Sequence, residues 1–541
     1  MKTKDKVLLL TYAFPPNKAA ESYLCVKALA KTNLLVDVVT INPANLNLPL
    51  DDSLNGFIKK YFNNIYTINY KNWLTRNIFS LLRFLHFFPD RFHIFNKSVI
   101  HNTEKLNLDT YDVIISWSQW HSIHLAALKL KKKYPHIKWI LHMSDPWKDN
   151  PFLEKIPFYY FIQSNLEKKT FKYADNLNFT SEETVNLIFK KYPLHYKLKT
   201  SIIPHSFETE FFKTNKKRNE KIIIRYLGNF YGPRNPKHFC LSLKKIQNEN
   251  KNILKNFKFE FYGNWIGNSN WSPQDIGLNK DLIQFFKPLS YLNSLELMST
   301  SDFLLIIDAP FKKSVFFPSK LVDYIGSKKP IIAITPPGTS YNILKKNNAI
   351  IINPLENIEL EKSIKNALNL ILYNKVNYLK DFYQNTYSSD SVGNQFEKII
   401  KSDKPNYLPN VLHLVPTDGY GGVEIAAKYA KNINSKKFKF NIDYIYDQQI
   451  STQNYSFAFN PFKIIHSAIK INKFNPDIII LSLWRSVLTG LIIKLFKKNI
   501  SLILFIHSET DSHWFDKLLT FLGATFSDEI WADSESTMEK R

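Results

Sequence analysis

Short, continuous apolar runs recur along the chain, separated by stretches whose apolar residues repeat at helical spacing. Residues 7–12 form the first run. The loop Phe14-Pro15-Pro16-Asn17-Lys18-Ala19-Ala20-Glu21-Ser22 follows, then a helix to about Lys31 and a second run at 36–41. Continuous apolar strands alternating with helices belong to parallel sheets covered on both faces. The chain therefore opens as the βαβ unit of a Rossmann-like domain. The alternation continues with a strand at 111–116, a helix at 122–133, and a strand at 138–142 that runs into Met143-Ser144-Asp145-Pro146-Trp147. A strand beginning near Asn178 closes in a capped helix at Ser181-Glu182-Glu183.

Ile202-Ile203-Pro204-His205-Ser206-Phe207 starts the crossing to a second alternating region. There, a buried strand at 222–227 enters a Gly-containing turn, Gly228-Asn229-Phe230-Tyr231-Gly232-Pro233-Arg234, which puts a basic residue just before a helix. Strands at 259–264 and 302–308 follow. Next comes Phe317-Pro318-Ser319-Lys320-Leu321-Val322-Asp323-Tyr324-Ile325, with Leu321, Val322 and Ile325 at helical spacing, and then a strand at 330–334. Pro318 suits a helix start, Ser319 is placed to cap it, and Lys320 falls in the first turn. A helix N-terminus aimed at the carboxyl edge of a parallel sheet binds phosphate through free N–H groups and its dipole. Asp323, one turn further in, is placed to accept from a ribose hydroxyl. The residues alone fit an ordinary βαβ unit with a capped helix equally well. Residues 382–401 are amphipathic.

After a polar, proline-bearing linker at 403–409 the pattern restarts. A strand at 410–416 leads to Gly419-Tyr420-Gly421-Gly422-Val423-Glu424, a loop suited to close backbone approach. Tyr111-Asp112-Val113-Ile114-Ile115 recurs as Pro476-Asp477-Ile478-Ile479-Ile480, and His142 recurs as His507, both 365 positions on, with no gap between them. Ser181-Glu182 recurs as Ser534-Glu535. The expectation is a duplicated domain.

The 541 residues suffice for about three to five domains. Lys and Arg exceed Asp and Glu by 25, which favours a polyanionic partner or reflects a lysine-rich solvated surface. No zinc-finger spacing, RNA-binding aromatic motif or recognition helix accompanies that charge, so no nucleic-acid partner is expected. Cys25 and Cys240 make neither a disulfide framework nor a zinc site and fit a reducing cytoplasm. No apolar run approaches the ~20 residues of a membrane-spanning helix. The basic, aromatic stretch from Trp73 to Phe92 reads either as a helix packed with its apolar side inward or as an amphipathic helix on an anionic membrane surface.

The segment from Phe317 to Ile332 resembles the donor-binding signature of GT-B glycosyltransferases, in particular glycosyltransferase family 4. In that family a Pro-Ser-Lys-Leu-x-Glu-Tyr-type helix precedes Gly-Lys-Pro and a strand. Here the helix is Pro318-Ser319-Lys320-Leu321-Val322-Asp323-Tyr324, and Lys328-Lys329-Pro330 stands for Gly-Lys-Pro. On this resemblance Asp323 takes the second Glu of the family's Glu-x7-Glu motif and Val315 the first. Ala19-Ala20, beside Glu21, takes the place of a Gly-Gly acceptor-side loop that the second copy keeps as Gly421-Gly422. Gly228, Asn229 and Arg234 match the diphosphate-holding turn, with Asn229 at its first basic position and Arg234 at its second. Asp145-Pro146-Trp147 resembles a branch acting in bacterial surface-polysaccharide assembly.

The resemblance implies an α/β chain with two Rossmann-like domains in GT-B arrangement plus a third Rossmann-like domain. Residues 1–200 would be the acceptor side, 201–385 the nucleotide-sugar domain, 386–402 a helix packing back on the first domain, and 410–541 the first half of a second such module. It implies a retaining, hexosyltransferase-type enzyme moving sugar from a nucleotide-diphosphate sugar to a glycan or lipid-linked hydroxyl in lipopolysaccharide or capsule synthesis. Arg234, Lys320 and the helix start at Ser319 would meet the leaving diphosphate, and Pro318, Asp323 and His205 would line the donor side. His142 and Asp145 would face the sugar or acceptor, and His507 would repeat the cleft histidine. No Asp-x-Asp motif is present, so neither a metal nor another cofactor is expected. The implied location is cytoplasmic, with peripheral contact at the inner face of the plasma membrane. A GT-B-fold sugar-nucleotide epimerase or phosphorylase and a non-enzymatic polyanion-binding protein are the alternatives. For residues 410–541 a fragment of a longer two-enzyme protein is favoured over a docking piece.

Overall fold

The computed structural model describes all residues except 1–3, 70–76, 80, 82–88, 153–156, 193, 213–219, 250, 267–270, 347–348, 356–359, 374–381, 402–406, 432–437, 447–459, 498–499 and 541. It divides into two compact units. The first comprises Met1–Leu187 and Ser201–Lys404, the second Ile188–Thr200 and Pro405–Arg541.

The apolar runs become strands of parallel sheets. In the first sheet β1 (Lys6–Thr11), β2 (Leu35–Ile41), β3 (Ile65–Ile68), β4 (Val113–Ser118), β5 (Lys138–Met143), β6 (Asn176–Phe179) and β7 (Thr200–Ile202) lie in the order β3-β2-β1-β4-β5-β6-β7. The second sheet, in the first unit, holds β8 (Ile222–Leu227), β9 (Phe257–Tyr262), β10 (Ile283–Phe286), β11 (Phe303–Ile307), β12 (Ile331–Ile334) and β13 (Ile350–Ile352), ordered β10-β9-β8-β11-β12-β13. Each is doubly wound. Its order reverses beside the first strand, and a crevice opens where the chain leaves the carboxyl ends to either side. For the second sheet that point lies between β8 and β11, which pair in parallel.

Val7, Leu9, Val36, Val38, Val113 and Ile115 are buried in one core with the helix Ala20–Leu29. The same core includes Leu321, Val322, Tyr324 and Ile325 of the helix Ser319–Gly326. Burial of so many large aliphatic groups, each contributing about 1.5–3 kcal/mol, ties the two halves of the first unit into one body. The amphipathic stretch at 382–401 is two helices, Phe382–Tyr387 and Ser389–Lys401. The second reaches the first sheet's helices, where Glu397 accepts from the Asn33 amide at 2.6 Å. Of the basic, aromatic stretch, Trp73, Arg76, Leu82, Arg83, Phe84, Phe87 and Phe88 lie outside the described residues. Phe79 and Phe92 are buried, with the Arg91 guanidinium over the Phe79 ring.

The second unit carries β14 (Asn410–Thr417), β15 (Lys439–Tyr446), β16 (Ile478–Ser482), β17 (Ser501–Ile506) and β18 (Glu529–Ala532), ordered β15-β14-β16-β17-β18. Its hydrogen bonds repeat those of the first sheet. Asp112 accepts from the Lys6 amide at 2.7 Å, and Asp477 from the Asn410 amide at 2.8 Å. Ser181 accepts from the Thr184 amide at 3.1 Å, and Ser534 from the Thr537 amide at 3.1 Å.

The gapless alignment of His142 with His507 does not hold. His142 pairs with Trp117 across β4 and β5, whereas Phe505 pairs with Ser482 across β16 and β17. Phe505 therefore occupies the register position of His142, and His507 lies two residues further on. The cause is the crossover. Three residues separate β4 from the helix Ser122–Lys133, but the helix Leu483–Phe496 starts directly after β16. His507 instead holds the Ser482 hydroxyl at 2.9 Å, which also meets His413 at 2.7 Å. Gly422 begins the helix Gly422–Lys431 and Gly421 precedes it, much as Ala19 precedes the helix Ala20–Leu29.

Candidate functional site

A cleft of about 280 Å³ opens at the carboxyl ends of β8 and β9. Gly228, Asn229, Tyr231, Arg234, Ser319, Lys320 and Asp323 line it from the second sheet's side, and Lys18, Ala20, Tyr23 and Lys27 from the first sheet's side.

The helix Ser319–Gly326 presents its first turn to this cleft. Pro318 is the N-cap, with φ −60° and ψ 132°, and Ser319 is the first helical residue. The expected Ser319 side-chain cap is absent, because proline holds the extended cap conformation and moves serine one place into the helix.

Lys320 folds its side chain back over β8. Its Nζ sits 3.6 Å from the centroid of the Tyr226 ring. Gly228, at φ +135°, makes room for it, since a Cβ there would stand 2.8 Å from Nζ. The ammonium is fully enclosed and has no hydrogen-bond partner among the described residues. Burial pushes its pKa well below the ordinary lysine value, the nearby Arg234 charge adds to this, and Asp308 opposes it.

Arg234 lies beside it. Its Nη1 donates to the Tyr231 hydroxyl at 2.9 Å, and its Nη2 stands 3.4 Å from Asp308 Oδ1. Its Nε is enclosed and unpartnered among the described residues. Asp308 is fixed through its other oxygen by the Thr335 hydroxyl at 2.8 Å. A helix start, an unpaired ammonium and a guanidinium with an unpaired Nε thus belong to residues that line one crevice, and groups of these kinds are suited to an anion such as phosphate.

Asp323 is engaged already. Its Oδ1 accepts from Lys27 Nζ at 2.6 Å and from the Tyr291 hydroxyl at 2.9 Å. Burial raises its pKa even though Lys27 opposes the shift.

Several expected site residues do not line this cleft. His142 is buried against Trp117, with ring centroids 3.6 Å apart. Its Nδ1 takes the Asn178 amide at 2.6 Å, which leaves Nε2 to face Ser144. Burial, followed by the neighbouring His205, pushes its pKa well down, so it is a neutral core residue. His205 is likewise buried, beside Phe317, and burial lowers its pKa to about 3. Glu21 accepts from Trp117 Nε1 at 2.9 Å and from the Ser144 hydroxyl at 2.8 Å, and burial, with Asp145 nearby, raises its pKa to about 8. Asp145 is raised to about 6 by burial, against the pull of Arg234. Glu21 is buried away from the cleft, whereas Asp145 is half-buried and near enough to the cleft residue Arg234 for their charges to interact, without itself lining the cleft. Ala19 is the N-cap residue of the helix whose Ala20 does reach the cleft.

Lys27, Tyr291, Asp308 and Tyr231 join the site although the sequence pattern does not single them out as site residues. Asp308 was findable, because it directly follows an apolar strand at a sheet's carboxyl edge, where ligands bind. Lys27 sits 296 positions from Asp323, and no local pattern announces that pairing.

No family model and no curated protein matches the chain. Solved structures do. The N-terminal domain of trehalose-6-phosphate phosphatase from Candida albicans aligns at 13% identity over 74% of this chain and 98% of its own, with a TM-score of 0.52. Sucrose-phosphate synthase from Thermosynechococcus elongatus gives the same four values. A UDP-forming alpha,alpha-trehalose-phosphate synthase from Burkholderia xenovorans, in complex with glucose-6-phosphate, aligns at 9% identity over 74% of this chain and all of its own, also with a TM-score of 0.52. The fold is the GT-B arrangement of two Rossmann-like domains, with a third Rossmann-like domain after it. Among the described residues no helix is long and apolar enough to cross a membrane.

Proposed function

We propose that the first unit is a glycosyltransferase, using a nucleotide-diphosphate sugar as donor and a hydroxyl as acceptor. The observation that carries this reading is the enclosed, unpartnered ammonium of the cleft-lining Lys320, close to Arg234. A cation stays buried without an anion only at a cost of several kcal/mol, and a bound diphosphate would remove that cost. In glycosyl transfer the bond from the anomeric carbon to the diphosphate oxygen breaks, and negative charge grows on the leaving group. Lys320, the Arg234 Nε and the first-turn amides are preorganised for that charge, the largest single contribution in such sites. The GT-B fold agrees with this reading, and a nucleoside diphosphate is also the product in the UDP-forming synthase named above.

The finer reading is a retaining, hexosyltransferase-type enzyme of the family 4 kind, with a glycan or lipid-linked acceptor, acting in bacterial surface-polysaccharide synthesis at the cytoplasmic side. The strand order and capping bonds that the second unit shares with the first sheet support a tandem module of the same kind. Incubating the full chain with a panel of sugar nucleotides, with and without candidate acceptors, tests the reading by nucleotide release and by the anomeric configuration of the product. The expected result is release of nucleoside diphosphate from one donor and a product that keeps the donor's configuration. Interconversion of the sugar without transfer would make the protein an epimerase. No turnover of any donor, together with binding to polyanions, would remove the enzyme reading.

A further inference from the structure

Asp323 is held at one oxygen. Its Oδ1 accepts from Lys27 Nζ at 2.6 Å and from the Tyr291 hydroxyl at 2.9 Å. Its Oδ2 accepts no hydrogen bond among the described residues, yet it is not among the fully enclosed side-chain atoms left without a partner, so it keeps some open surface. The residue is otherwise buried and lines the cleft, so that surface belongs to the cleft. Lys27 reaches Asp323 from the opposite Rossmann-like half, on the helix Ala20–Leu29, and its side chain is 1% exposed. It has little freedom to move. Tyr23, one helical turn before it, stacks on Tyr291 with ring centroids 4.2 Å apart. Tyr291 starts the helix Tyr291–Ser299. Asp51 binds the Tyr23 hydroxyl at 2.8 Å and the Tyr291 amide at 2.6 Å. The two groups that fill Oδ1 are therefore fastened to each other.

We infer that Lys27 is a positioning residue for the donor site: it occupies Oδ1 of Asp323, fixes the carboxylate, and leaves Oδ2 to accept a ribose hydroxyl of the nucleotide. This rests on the proposed donor site. A buried carboxylate without a counter-charge takes up a proton, and a neutral acceptor holds a hydroxyl roughly half as strongly as a charged one. Burial does raise the Asp323 pKa, and Lys27 and then Tyr291 oppose the rise. Few other charges reach the pair. Tyr324, on the same helix as Asp323, senses its charge. His205 faces Lys27 but is neutral. Glu208, whose charge reaches Tyr291, is paired with Lys31. Lys27 is thus the cation that acts on Asp323 directly. The two ends of the donor meet different kinds of site. The diphosphate meets cations of the second sheet's half alone, whereas the ribose meets an acceptor whose charge and orientation are set by the other half.

The experiment is titration calorimetry of the full chain with UDP, GDP and ADP, and with inorganic pyrophosphate, which carries no ribose, at several pH values between about 6.5 and 9. Lys27→Met is expected to bind the nucleotide about tenfold more weakly than the wild type near pH 7, the scale of a charge-assisted hydrogen bond reduced to a neutral one, with pyrophosphate binding unchanged. The loss should shrink as pH rises, because without Lys27 the Asp323 pKa moves further up and a higher pH restores the charged acceptor. Lys27→Gln, which keeps a donor for Oδ1 without the charge, should show a smaller loss with the same recovery, and it carries the test if the methionine variant does not fold. Asp323→Asn and the double variant Lys27→Met/Asp323→Asn should bind the nucleotide equally weakly, since Lys27 acts only through Asp323. Unchanged nucleotide affinity in both Lys27 variants, a loss that is the same at every pH, an equal loss for pyrophosphate, or a further loss in the double variant overturns the positioning role and leaves the donor site standing. Failure of the wild type to bind any nucleotide overturns the donor-site reading and the positioning role with it.

Discussion

Replacing Lys320 by methionine should make the protein more stable and inactive at once. Methionine is unbranched and of similar length, so it fills the space over Tyr226 without the charge. In the wild type the ammonium is enclosed with no hydrogen-bond acceptor among the described residues, and its pKa is depressed by that burial. An unpaired buried charge costs several kcal/mol. Contact with the Tyr226 ring at 3.6 Å returns about 2 kcal/mol of this, and loss of the proton caps the remainder. The net gain on substitution is about 2 kcal/mol. At about 2–4 °C per kcal/mol, the transition containing the second sheet should rise by roughly 4–8 °C in differential scanning calorimetry. The pH dependence carries a definite sign. The folded-state pKa lies below the unfolded value of 10.5, so the wild type is most penalised at low pH and the penalty fades as pH rises towards 10.5. The advantage of methionine should therefore shrink with rising pH. Turnover of the sugar nucleotide should fall by about 10²–10³-fold, the scale of losing one preorganised donor to a developing anion. A lowered transition temperature would show that the ammonium has a partner in the folded protein, and near-wild-type turnover would remove Lys320 from the chemistry.

Three further outcomes are expected. Arg234→Ala should lower turnover by about 10²-fold, by the same reasoning about charge on the leaving group, and wild-type rates from a folded variant would exclude the diphosphate role. Glu21 has its pKa raised from 4.5 to about 8, so its contribution to stability is present below pH 4.5 and is lost as pH rises to about 8. Glu21→Gln should flatten that part of the thermal stability profile by up to about 5 kcal/mol, and parallel wild-type and variant curves would refute the shift. Activity should persist in EDTA, because the proposed charge stabilisation uses Lys320, Arg234 and backbone amides, and a loss restored by manganese would show that a metal takes their place.

The sequence by itself determined most of the long buried strands and their alternation with helices, but not β3, β10, β13 or β15. Parallel-sheet strands are buried on both faces, so runs such as Leu8-Leu9-Leu10 or Leu304-Leu305-Ile306 stay continuously apolar and stand out locally. The capping serines Ser181 and Ser534 were legible for the same reason, since each bonds an amide three residues away. Gly228 and Lys320 were legible as candidates but not as a pair, because the glycine is needed for a side chain 92 positions further on. Tertiary structure alone decided which candidates face the cleft. His142 lies near the end of β5 and His205 follows β7, as cleft residues do, yet both are buried beside aromatic rings and burial lowers their pKa values. Asp323 reads as a free carboxylate until Lys27 and Tyr291 reach it from distant segments. The two-residue shift that separates His507 from His142 comes from the length of a crossover, and only the pairing of the strands on either side shows it. Local patterns record which face of an element is buried, whereas the partners of a polar group depend on how the chain returns to it.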